Sequence, residues 1–136
     1  NGGKIFTSAQ LTGTMDMTAI NDVYPISGSV VAPGQARLTN DSAMVPVDTS
    51  GARPTIRPKN IVLGVTPVVP AADANAYYTA QLTKIAGWTG DNTVGAIRAR
   101  NGEVFEVFFS IPLHQFSRPT GTNGGDLLEY ILNEEF

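Results

Sequence analysis

Proline and glycine interrupt this chain at short intervals from end to end, and that punctuation limits what it can fold into. Proline lacks an N–H and breaks helices and central strands, while glycine resists any one fixed conformation. Nine prolines and 14 glycines are spread through the 136 residues rather than gathered in a linker. They leave short runs, as expected for many short strands. The length suits one domain. The expectation is therefore mainly β: one antiparallel sandwich or jelly-roll-like domain over residues 1–136, with one or two short helices. No internal repeat or low-complexity tract is present.

The clearest unit is a hairpin formed by residues 94–100 and 103–111 around Asn101-Gly102. Asn-Gly suits a type I′ turn, whose two central residues both need positive φ. A two-residue turn fixes the register. Arg100 is then expected opposite Glu103, Ala99 opposite Val104, Arg98 opposite Phe105, Ile97 opposite Glu106 and Val94 opposite Phe109. One face would hold Arg98, Ala96, Val94, Phe105, Val107 and Phe109. The other would hold Ala99, Ile97, Gly95, Val104, Glu106 and Phe108. Both are largely apolar, whereas a sheet wet on one side alternates cleanly. Both faces must be covered, the second by a helix, a long loop or another chain.

The remaining segments are weaker signals. Residues 1–12 could be an extended arm, with "KIFTSAQL" (4–11) alternating weakly and "GTMDMTAI" (13–20) alternating better. Pro46 demotes residues 43–54 to an edge or extended segment. "NIVLGVTPVV" (60–69) is the most strand-like run of the first half, with Gly64 and Pro67 marking a bulge or edge. Residues 71–86 lie between Pro70 and Gly87, and Tyr78, Leu82 and Ile85 fall at i, i+4, i+7. A helix is expected there, with a strand as the alternative, since "YYTAQLTKIAGW" also alternates. Residues 126–136 read as an acidic helix and tail, with Asp126 as N-cap and Leu127, Leu128, Ile131 and Leu132 as an apolar stripe. So short a helix must dock on something.

Composition narrows the chemistry. Only 15 % of residues are charged, against 42 % hydrophobic. Average usage is about 25 % charged, so the surface is under-charged for a lone soluble domain. Net charge is −3. Four of the 12 acids, Asp126, Glu129, Glu134 and Glu135, lie in the base-free tail, so the rest is nearly neutral. Such a chain is a poor general nucleic-acid binder. There is no cysteine, which excludes disulfides, zinc thiolates and a Cys nucleophile. No apolar run reaches the roughly 18 residues of a membrane helix, and no signal peptide is visible. No membrane contact is expected.

No catalytic pattern stands out. His114 is the single histidine. No G-x-S-x-G elbow offers it a nucleophile, and a lone histidine is a poor start for zinc. Asp16, Asp22, Asp41 and Asp48 lie in turn-rich contexts, where aspartate caps its own backbone. "GTNGG" (121–125) lacks the Lys-Ser/Thr of a phosphate loop and reads as a hinge. No cofactor, metal or catalytic residue is expected. Arg53, Arg57 and Lys59 form the one basic cluster, suited to an acidic neighbour such as the tail of another subunit. Contact with packaged nucleic acid is a lesser use, because no aromatic residue is there for base stacking. Trp88 with Tyr77 and Tyr78 offers a sugar-stacking alternative.

The chain is short, Cys-free and β-rich, with much Ala, Thr, Gly and Asn and no catalytic motif. In this it resembles bacteriophage virion structural proteins, namely small capsid cement or decoration proteins and small coat proteins. "IFTSAQLTGTMDM" (5–17) resembles the openings of some small jelly-roll-like cement proteins. The strand-Pro-loop-helix order of 103–134 resembles the end of small RNA-phage coat proteins, though there the helices are longer and a basic sheet face binds RNA. The resemblance transfers no residue as functional. It implies a non-enzymatic subunit located in the virion, binding itself or other capsid subunits. The surfaces expected to do so are Ile5 and Phe6 of the arm, Ile97, Val104 and Phe108 of the hairpin, and Leu128, Ile131 and Leu132 of the tail. The alternative is a carbohydrate-binding or adhesin β-sandwich.

Overall fold

Two long strands organise the molecule. The computed structural model describes residues 3–10, 24–30, 35–84, 89–118 and 121–136. Strands β7 (Ala74–Lys84) and β8 (Thr89–Arg100) pair antiparallel, and β8 continues through the hairpin turn into β9 (Glu103–Phe109). The turn is the expected one, with φ of 53° at Asn101 and 81° at Gly102. Strand β1 (Ile5–Ser8) adds to the far side of β9. It runs parallel to β9, so the sheet is mixed rather than wholly antiparallel. On the other side of β7 lie β3 (Ala36–Leu38) and β4 (Met44–Pro46), and β5 (Val62–Val65) closes the order outside β3. A separate ribbon pairs β2 (Ile26–Val30) with β6 (Val68–Pro70).

The sheet curls round its core. Gln10, two residues beyond β1, donates from Nε2 to the carbonyls of Leu63 (3.4 Å) and Gly64 (3.3 Å) in β5. The chain leaving one margin of the sheet thus reaches the other margin.

Both faces are covered by the chain itself, which answers the hairpin's unusual pattern. The inner face carries Leu38, Met44, Leu82, Val94, Ile97, Val107 and Phe109. It is closed by Ile111, by a 3₁₀ turn (Leu113–Phe116) and by the C-terminal helix. The outer face carries Ala96 and Phe108, packed under Tyr24, Ile26 and Val68 of the β2–β6 ribbon and its approach. The result is a sandwich-like, mainly β arrangement.

Four expectations need correction. Residues 71–86 are not a helix where they are described: Ala74–Lys84 is strand. Bulges in the β7–β8 ladder fall at Ala76/Tyr78 and Tyr78/Thr79. They put the consecutive Tyr77 and Tyr78 into one core and spoil the period of two.

The hairpin register holds for Arg100–Glu103 and Ala99–Val104, then slips. Phe105 is an extra residue in β9, so Arg98 meets Glu106, Ile97 meets Val107, and Gly95 meets Phe109. Beyond the bulge the side chains exchange faces: Val107 and Phe109 join Ile97, and Phe108 joins Ala96.

The N-cap of the terminal helix α1 (Gly124–Tyr130) is Asn123, not Asp126. Asn123 Oδ1 accepts from Asp126 N (3.1 Å), and Asp126 Oδ2 accepts from Asn123 N (2.8 Å), a reciprocal capping box. Gly124 and Gly125, expected in a hinge, are the first residues of this helix, and Gly124 is packed. A Cβ on Gly124 would collide with the carbonyl oxygen of Leu113.

Candidate functional site

The residues expected to form association surfaces separate into two groups. Ile97 and Ile131 are buried in the inner core, and Phe108 is 1 % exposed beneath Tyr24, whose ring lies 5.2 Å away. Phe6 and Val104 are half-buried against the same inner core. The hairpin's second face is therefore covered from within, and Ile97, Phe108 and Ile131 correct the expectation of subunit contacts there. Ile5 on β1 (47 % exposed) and Leu128 and Leu132 on the C-terminal segment stay in water. Leu127 of α1 and Ile131 at its C-cap are buried, so the expected four-residue stripe divides into a docked pair and an exposed pair.

A larger apolar exposure lies elsewhere. Leu63 of β5 is 67 % exposed and Ile61 beside it 54 %, with Val69 of β6 and Val45 and Val47 also outward. These residues were missed as candidates. The signal was present, since residues 60–72 contain no charged side chain. The run reads as strand, and an alternating strand does not announce which of its apolar residues face water.

The basic cluster does not converge. Arg53 Nε donates to Glu135 Oε2 at 2.8 Å and its guanidinium lies 4.8 Å from the Tyr77 ring centre. The acidic neighbour expected on another subunit is thus this chain's own tail. Burial opposes the charge on Arg53, but Glu135 outweighs it and raises the guanidinium pKa. Burial first, then Glu135, pushes the Tyr77 phenol far above its ordinary range. Burial also raises Tyr78, whose hydroxyl donates to the Pro54 carbonyl at 2.5 Å. Arg57 Nη1 donates to the Asp41 carbonyl at 2.6 Å. Lys59 is exposed, and its backbone N–H donates to the Gln115 carbonyl.

Tyr77 and Tyr78 are fully buried and cannot stack on a sugar. Trp88, Asp16 and Asp22 lie outside the described residues. Asp48 caps its own turn, accepting from Ser50 Oγ (2.6 Å) and Ser50 N (2.9 Å), and the side-chain bond leads in lowering its pKa. His114 is exposed in the 3₁₀ turn, where its carbonyl accepts from Ser117 Oγ at 2.8 Å. Ser110 is buried, with its Oγ directed at the Val94 carbonyl, so it forms no pair with His114. Among the described residues no group of three His, Cys, Asp or Glu is placed to hold a metal. No helix there is long and apolar enough to cross a membrane.

Uncharged, outward-facing aliphatic residues on β5 and β6 are thus the most distinctive surface described. Comparison with known proteins gave no match to any protein-family model, curated protein or solved structure.

Proposed function

We propose that this chain is a non-enzymatic structural subunit, of the kind that builds or decorates a virion shell. It acts by associating with copies of itself or with other shell subunits. The observation that carries this reading is the aliphatic exposure at β5 and β6. Ile61 and Leu63 lie at β5, the margin strand of the large sheet, and Val69 lies on the ribbon strand β6, with no charge anywhere in residues 60–72. Lone soluble proteins guard sheet margins with charged side chains, and an uncharged, apolar margin such as β5 marks a surface that another molecule covers. The low overall charge of the chain agrees with a surface meant to be covered.

The test is the solution mass of the protein by light scattering, with electron micrographs of the same samples. Shells, tubes or a fixed oligomer are expected for the wild type, and a smaller species for Leu63→Asp. A wild-type monomer that persists at high concentration would overturn self-association.

A further inference from the structure

Residues 52–57 run between two clefts of opposite charge. On one side, Thr55 and Arg57 line a cleft of about 300 Å³ together with Arg118 and Thr122. Among the described residues its only charged lining is the two arginines. On the other side, Ala52 and Pro54 border a cleft of about 280 Å³ whose charged lining is Asp126, Glu129 and Glu134. Asp126 is committed to the helix cap. Glu129 and Glu134 are exposed, and among the described residues neither they nor Arg57 nor Arg118 takes part in an ion pair. Arg57 is steadied by one bond to the Asp41 carbonyl, which leaves most of its guanidinium donors available. The same two segments already pair once inside the chain, through Arg53 and Glu135.

We infer that the arginine cleft docks the carboxylate edge of a second copy of this chain, with Glu129 and Glu134 entering beside Arg57 and Arg118. The inference rests on the reading of the chain as a self-associating subunit, and it names one of the contacts. Guanidinium and carboxylate match in charge and in planar geometry. The surface that gives and the surface that receives flank the same segment, so a two-fold pair makes the contact twice, once in each direction, and a ring or array makes it from copy to copy. Exposed charge pairs are individually weak and screened by salt. The contact therefore sets orientation, while the exposed aliphatic residues of the β5 margin supply most of the affinity.

Charge-swapped chains test this directly. One variant carries Arg57→Glu and Arg118→Glu, the other Glu129→Arg and Glu134→Arg. Alone, each presents like charges across the contact and should associate at least about tenfold more weakly than wild type at low salt. Mixed in equal amounts, every contact is again opposite in sign, and assembly by alternating copies should return. Recovery on mixing also shows that both variants are folded. Raising sodium chloride from roughly 0.05 to 0.5 M should weaken the wild-type and mixed assemblies alike. If wild type assembles and each variant assembles as well as it does, the contact is wrong while self-association stands. If wild type is monomeric throughout, self-association itself fails. If the monomer binds a single-stranded oligonucleotide and Arg57→Glu/Arg118→Glu abolishes that, the cleft serves nucleic acid and the inference is overturned.

Discussion

The ring of Phe109 lies so close to Gly95 that a Cβ there would sit 2.8 Å from Cε1 and 2.9 Å from Cδ1, with Tyr78 Cβ at 3.2 Å. Phe109 cannot withdraw, because Phe6, Tyr77 and Tyr78 stack around it at centroid distances of 6.0, 5.7 and 5.5 Å. Gly95→Ala should therefore cost about 1–3 kcal/mol, as overpacking does, read as a lower urea midpoint with an unchanged slope. The sequence offered Gly95 only as one more gap in an alternating run, since the ring that needs the gap arrives from another strand. Glu106 is a second such residue. It faces Arg98 at 3.2 Å because Phe105 bulges, while Arg98 also meets Asp73 at 3.3 Å and the Tyr24 carbonyl at 3.0 Å. Burial raises the Glu106 pKa, and the attraction of Arg98 offsets this only in part. A carboxyl whose folded pKa lies above its unfolded value gives stability that is full below the unfolded pKa and lost as pH rises through the folded one. Glu106→Gln does not titrate. Wild-type stability relative to Glu106→Gln should thus fall as pH rises from about 4 through the carboxylate range, measured by denaturation at several pH values. A difference that grows instead would show that the ion pair dominates burial.

At the level of elements, local signals were legible where one short-range rule decides the outcome. Asn101-Gly102 dictated its turn, and the first two hairpin pairs follow from it. The register then failed at Phe105, because a bulge is settled by what the strand packs against and not by the turn. The strand β7 was read as a helix for a related reason. Two bulges set Tyr77 and Tyr78 on one face, which erased the alternation and left Tyr78, Leu82 and Ile85 at helical spacing by coincidence. Helix α1 shows the opposite case. Its seven residues are too few to persist alone, so it depends on docking by Leu127 and Ile131 and on its cap. The cap was displaced by one turn in the sequence reading because both Asn123 and Asp126 are good N-cap types, and only the reciprocal bonds show which residue is which. Asn123→Ala should lower stability by about 1 kcal/mol, whereas Leu132→Ala, removing an exposed side chain, should stay within about 0.5 kcal/mol. Equal losses from the two would mean that Leu132 is covered in solution, and would point to the association surface.

Across the whole molecule, the chain closes on itself through partners far apart in sequence. β1 pairs with β9, Gln10 spans to β5, Lys4 Nζ donates to the Phe136 oxygen at 3.0 Å, and Arg53 holds Glu135. Composition and periodicity showed that both hairpin faces needed cover. They could not show whether that cover was internal, because a buried leucine looks the same in sequence whether its neighbour is the same chain or another. The folded chain answers with its own ribbon and helix, and moves the unmet apolar surface to Ile61 and Leu63. Closure of this kind also orders events in time. Joining Arg53 to Glu135 means closing a loop of 82 residues, whose entropy cost is met only after the central strands have formed. The ion pair should therefore be absent from the folding transition state. Glu135→Gln leaves Arg53 half-buried over Tyr77 without its carboxylate. It should cost roughly 1 kcal/mol, falling almost wholly on unfolding and making it about fivefold faster at an unchanged folding rate. Stopped-flow folding and unfolding arms on wild type and Glu135→Gln separate the two rates. A slower folding arm in the variant would place tail docking in the nucleus, and would mean that the C-terminal segment organises the sheet instead of sealing it.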